Sequence, residues 1–258
     1  MENVSKALLI AAAVLVAIII IAFGIRIFNS SSNTATTAKD TGKTISEQVK
    51  RGVSIINSNN SEEIEETSED CFTWTGTTIT GYKENIPEKI KLPSKTTKIG
   101  REAFSGCKKL KEIIIPDSVT VIEDMAFRSC VNMTNVTIPG SIKSIPYAGF
   151  EGCKSLTSVV LPCGITSIGG YGFRFCENLK TITLPNTLIE IGGSSFIGCD
   201  SLTSITIPIS VEKIGWTAFV ESGNLRSMNC EASSKPEGWA SMWFQGDDGI
   251  IHWGYKEN

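Results

Sequence analysis

The sequence predicts a mainly β, elongated repeat solenoid with a minor helical contribution, preceded by one N-terminal membrane-crossing helix. Three observations predict it. Phenylalanine stands at 104, 127, 150, 173, 196 and 219, always 23 residues apart. Isoleucine (99 to 214), proline (93 to 208) and cysteine (107 to 199) keep the same 23-residue interval in parallel columns. Finally, Ala7 to Ile25 carries no charge and almost no polar atom.

The chain opens with a short polar tail, residues 1–6, and then an apolar segment assigned as an anchor, residues 7–28. The uncharged run Ala7–Ile25 is 19 residues long, and at about 1.5 Å of rise per residue it covers roughly 28 Å, the hydrocarbon thickness of a bilayer. A cleaved signal peptide has a shorter apolar core followed closely by a small-x-small site. Here Arg26, Ile27 and Phe28 follow, so an uncleaved anchor is the preferred reading, with a cleaved signal or a buried helix as alternatives. Lys6 lies on one side and Arg26, Lys39 and Lys43 on the other, so flanking charge does not orient the segment. The large polar C-terminal part favours an internal N-terminus with the bulk outside.

Residues 29–70 read as a linker: a Ser/Thr/Asn-rich flexible tether, a possible short helix over 46–57, and the acidic stretch Ser61–Asp70. The acidic stretch is most simply solvated, a partner-binding role being the alternative. Residues 71–97 then bring β-branched and aromatic residues as opening strands, 98–230 hold the repeats, and 231–258 form a C-terminal cap.

One repeat shows the physics. In LKTITLPNTLIE (179–190), Ile182 and Leu184 alternate with Thr181 and Thr183, the period of a short half-buried strand. Pro185 ends it, because proline cannot donate to the next rung. Leu188 and Ile191 start a second short segment, and SSFIGC (194–199) then makes a compact turn, with one helical turn expected at most. A unit of this size cannot bury its own apolar face, so each must rest on its neighbours.

The pattern I/L-P-x-x-V/I-x-x-I-G-x-x-A-F-x-G-C-x-x-L-x-x-I, clearest in KIGREAFSGCKKLKEIIIP (98–116) and SIPYAGFEGCKSLTSVVLP (144–162), resembles the BspA-like leucine-rich repeat family. The resemblance covers about 72–230, and several columns must agree at once for it to arise. It implies a leucine-rich-repeat solenoid, extracellular or surface-exposed, frequently adhesive, and no catalysis. Departures are Met133 and Met228 for leucine or isoleucine, Glu123 and Pro146 for glycine, and the bulky Trp216.

Chemistry is sparse. Net charge is −3 and there is no basic stripe, which argues against a nucleic-acid partner. The single histidine, His252, has no evident carboxylate partner and reads as part of the cap. Five of the eight cysteines share one repeat column, which suggests buried fillers, and no Cys-x-x-Cys pair suggests a metal site. Cys71, Cys163 and Cys230 lie outside that column and are the pairing candidates in an oxidising compartment. Gly169–Gly172, GGYG, lacks the lysine of a phosphate loop and sits where other repeats bend. No cofactor is expected.

Two surfaces remain. The outward strand positions Glu112, Ile114, Asn135, Thr137, Ser158, Val160, Thr181, Thr183, Ser204 and Thr206 form the natural ligand face, or a solvated one. Trp239, Trp243, Trp253 and Tyr255, with Phe244, crowd the C-terminus as a cap, a sugar platform, or both. The expected function is a non-enzymatic, membrane-anchored cell-surface adhesion or interaction module whose partner is a protein or glycan. A structural spacer without a ligand is the alternative, and a carboxylate enzyme a remote third.

Overall fold

The computed structural model describes residues 64–256 apart from 223 and 246–249. The expected anchor (7–28), the short helix over 46–57 and most of the linker lie outside the described residues. Among the described residues no helix is long and apolar enough to cross a membrane.

In chain order the strands begin with β1 (Phe72–Thr75), β2 (Thr78–Tyr82), β3 (Lys89–Lys91), β4 (Lys98–Ile99), β5 (Glu112–Ile114), β6 (Val121–Ile122), β7 (Asn135–Thr137) and β8 (Ser144–Ile145). They continue with β9 (Ser158–Val160), β10 (Ser167–Ile168), β11 (Thr181–Thr183), β12 (Glu190–Ile191), β13 (Ser204–Ile207), β14 (Lys213–Ile214), β15 (Ser227–Cys230) and β16 (Ile251–Trp253). Odd- and even-numbered strands from β3 to β14 build two different faces of one coil. Pairing is parallel, and residues pair with those one repeat away: Lys89 with Glu112 and Glu112 with Asn135 on one face, Ser144 with Ser167 and Ser167 with Glu190 on the other. The sequence period is therefore the sheet register.

The compact turns form the third side. Here Phe104 N donates to Ala126 O (2.8 Å), Phe127 N to Gly149 O (3.0 Å) and Phe150 N to Gly172 O (2.9 Å), so each rung is bonded to the next along this side too. The helical turn expected in SSFIGC does not form. Ser194 (φ 57°) and Gly198 (φ 68°) are both left-handed, and two such residues four apart interrupt any right-handed helical run. The described helix content is one 3₁₀ turn, Glu69–Cys71, so the minor helical contribution expected of the fold shrinks to that.

Inside the coil the phenylalanines stack face to face, with ring centroids 5.0–5.7 Å apart and interplanar angles of 5–13° from Phe104 to Phe219. All six are fully buried. At the N-terminal end the antiparallel hairpin β1–β2 closes the stack, with Phe72 edge-on to Phe104 at 6.2 Å and Tyr82 stacked at 6.2 Å. The end of the acidic stretch packs here as well: Thr67 is buried, its N–H donating to Lys91 O (2.8 Å), and Glu66 accepts from Ser94 N (3.1 Å).

Candidate interaction surface

The cysteine column is scaffold. Cys130, Cys153, Cys176 and Cys199 each donate through Sγ to the carbonyl of the phenylalanine 26 residues earlier, at 3.0–3.2 Å. Ser222, standing where a cysteine is due, makes the same bond to Phe196 O at 3.1 Å. Burial raises the Cys153 and Cys176 thiols well above the ordinary range and pushes that of Cys199 up to about 12. All eight cysteines are unpaired, and of the three outside the column Cys71 and Cys230 are buried while Cys163 is exposed. Among the described residues no three His, Cys, Asp or Glu side chains cluster as a metal site would need. His252 is exposed on β16.

The ten outward strand residues lie side by side on β5, β7, β9, β11 and β13. Asn135, Thr137, Ser158, Val160, Thr181, Thr183 and Ser204 are exposed, Val160 at 71%, while Glu112, Ile114 and Thr206 are half-buried. Their alternates point inward: Ile113, Val159, Ile182 and Ile205 are all buried. The strip is small-sided and nearly uncharged, and its one ion pair joins Lys89 to Glu112 at 3.2 Å on its N-terminal margin.

The aromatic end divides. Trp239 and Trp243 are buried, Trp239 Nε1 donating to Val211 O (3.1 Å) and Trp243 standing perpendicular to Phe219 at 6.1 Å. They close the open end of the stack. Trp253, 36% exposed, and Tyr255, half-buried, sit farther out. Trp253, Trp243, Phe244, Ile251, Lys235 and Ser241 line a recess of about 320 Å³.

A third surface went unnoticed in the sequence. The position three residues before each phenylalanine is Arg101, Asp124, Tyr147, Gly170, Gly193 and Trp216 in successive rungs. Cross-rung bonds from Ala148 N to Gly170 O (2.9 Å), Tyr171 N to Gly193 O (3.0 Å) and Ser194 N to Trp216 O (2.9 Å) hold this column in line. Tyr147 is 43% exposed and Trp216 61%, with a two-glycine floor between them. Tyr171 stands edge-on to Tyr147 at 5.3 Å, and the Arg174 guanidinium lies 5.0 Å from the Tyr171 ring and 4.3 Å from that of Phe175. The available signal was the change in this column from charged to aromatic and glycine residues.

The 23-residue register, the phenylalanine stack and the cysteine column together match a known repeat. The family model "BspA type Leucine rich repeat region" aligns in six copies, over residues 80–184 and 143–240. The chain belongs to that family. Among solved structures, the BspA-type coil is similar to the T. pallidum leucine-rich repeat protein, with 28% identity and a TM-score of 0.62, covering 67% of this chain and 84% of that one. A leucine-rich repeat protein from Eubacterium ventriosum ATCC 27560 shares 23% identity and the fold, with a TM-score of 0.52 over 74% of this chain and 55% of that one. A leucine rich cell surface protein from Faecalibacterium prausnitzii A2-165 is 27% identical over 60% of this chain and 35% of that one, with a TM-score of 0.44. No curated protein sequence matches the chain.

Proposed function

We propose that this BspA-type repeat protein is a non-catalytic interaction module, held to a membrane by residues 7–28 and displayed outside the cell, where its coil binds a protein or glycan. The observation that carries the reading is the division of labour among its side chains. Its repeated thiols bond scaffold carbonyls, whereas the strip from Asn135 to Ser204 runs exposed across consecutive strands. Such a strip suits recognition by shape and hydroxyl contacts rather than by charge. The apolar run Ala7–Ile25 followed by a Ser/Thr-rich tether supports display at a distance from a bilayer.

The test is a panel of matrix proteins and glycans presented to the purified chain, with Thr137→Glu and Thr183→Glu as controls on the strip. Saturable binding that both substitutions weaken is the expected outcome. Self-association with no heterologous binding across the panel would replace this reading with that of a spacer.

A further inference from the structure

The cap adds one more rung to the coil. Trp239 bridges to Ile214, Phe244 bridges to Phe219, and β16 pairs with β15 through Met228–Ile251, Asn229–His252 and Cys230–Trp253. Trp239 and Trp243 bury themselves over the core, but the corner at β16 stays open, and among the described residues no strand pairs with β16 on its other side. The repeat register shows what that edge presents. In earlier rungs the inward residue at the Trp253 position donates forward: Leu92 N to Ile114 O (3.0 Å), Ile115 N to Thr137 O (3.3 Å) and Leu161 N to Thr183 O (3.3 Å). Trp253 follows Cys230 in the same column by the same 23 residues. Its N–H, and with it that of Ile251 two residues earlier, therefore points away from β15. The chain then turns back, Gly254 N donating to Ala232 O (2.8 Å) and Tyr255 N to Cys230 O (3.0 Å). The inward side chain is uncovered as well: Trp253 is 36% exposed, whereas its counterparts from Leu92 to Cys230 are all buried. Unpaired strand edges are templates for another chain.

The size and lining of the corner indicate its occupant. β16 is three residues long, roughly 10 Å of edge, a short seat beside the ~800 Å² per partner that a stable dimer buries. Nor can a second coil stack on it head to tail by strand pairing alone, because the far end of this face is taken: Thr67 N donates to Lys91 O (2.8 Å) and Lys91 N to Thr67 Oγ1 (3.2 Å). A linear segment fits instead. Against the edge lies the recess of about 320 Å³ walled by Trp243, Phe244, Ile251 and Trp253, with the Trp243 and Trp253 rings 6.5 Å apart at 60°. It lies where the inward side chain of a further rung belongs. The exposed Lys235 and Ser241 add an ammonium and a hydroxyl to its lining. Peptides that extend a sheet take affinity from main-chain bonds and specificity from pockets for alternate side chains. We propose that the β16 edge binds an extended peptide segment of a partner protein, which sets an apolar side chain into this recess and a carboxylate beside Lys235. The corner is separate from the strand strip, and its binding of peptide does not depend on where the coil is displayed.

Full-length chain in detergent is panned against a random heptapeptide library displayed on phage, and enriched sequences are resynthesised for affinity measurement by fluorescence polarisation. The expected sequences alternate apolar residues and carry an Asp or Glu. Methylating the peptide nitrogens one at a time should abolish binding at alternate positions and spare it between them, because only one edge of an added strand meets β16. Trp253→Ala and Lys235→Glu should each weaken binding about tenfold or more with the melting temperature held. Thr183→Glu should leave it unchanged. Should Trp253→Ala fail to fold, the exposed Lys235→Glu carries the same comparison. No enrichment, indifference to methylation at every position, or full affinity in both variants would overturn the site. Dimerisation of the free chain that Lys235→Glu abolishes would overturn it too, by assigning the edge to a second copy. Where any of these coincides with a strip-dependent ligand from the protein and glycan panel, the corner alone is wrong and the wider reading stands.

Discussion

At the scale of single residues, the repeat carries more backbone constraint than its composition suggests. Two columns are left-handed in every copy: Glu102, Met125, Ala148, Tyr171, Ser194 and Thr217, and then Gly106, Ser129, Gly152, Phe175, Gly198 and Glu221. Glycine fills only half of the second column, so its other members hold φ near 58° at a steric cost. Ser129→Gly, which copies Gly106 and Gly152, should therefore raise stability by about 0.5–1 kcal/mol, readable as a higher denaturant midpoint. This feature was not legible beforehand, because a column is visible only where residues repeat, and the left-handed positions share a conformation and not a side chain. The thiols were legible, since cysteine repeats. With seven buried and Cys163 exposed, a native-state thiol reagent should modify one equivalent rapidly and the remainder only on unfolding. Charge is local. The Lys98 ammonium, and after it the Arg101 amide, hold the Glu123 carboxyl below its ordinary range. A depressed carboxyl stabilises above its unfolded pKa and loses that contribution as pH falls through the folded value. The melting temperatures of wild type and Glu123→Gln should thus differ modestly at neutral pH and converge in acid.

At the scale of elements, the rung is the unit, and glycine sets how closely rungs approach. Gly192 and Gly215 lie against the backbone of the preceding turn, whereas Gly140 has nothing within 4 Å of a would-be Cβ and no left-handed φ. Gly192→Ala should accordingly cost about 2 kcal/mol or more, in the range of overpacked cores, while Gly140→Ala should be near neutral. Thermal melts of the pair measure the contrast directly. The strand pairing was legible because the period of the columns and the register of the sheet are one quantity, as Ser144, Ser167, Glu190 and Lys213 illustrate. The compact turn over 194–199 was legible too, but not its conformation: the left-handed Ser194 and Gly198 rule out the single helical turn that the sequence left open. The outward strip could be read from alternation alone. The column from Tyr147 through Gly170 and Gly193 to Trp216 could not, because only the stacking of the rungs brings those four residues into line.

At the scale of the whole molecule, a coil of like rungs needs covered ends, and the described part has both. The β1–β2 hairpin with Phe72 and Tyr82 closes one, and Trp239 and Trp243 close the other. The aromatic C-terminus is thus accounted for mainly by packing, with Trp253 and its recess left outside that role. What such a capped coil does depends on where it is displayed, and the exposed Cys163 offers a probe of that. Intact cells expressing the full chain would be treated with a membrane-impermeant maleimide, using Cys163→Ser as the blank. Labelling of Cys163 before lysis is the result expected of an outward-facing repeat module. Labelling that occurs only after the cells are opened would contradict it.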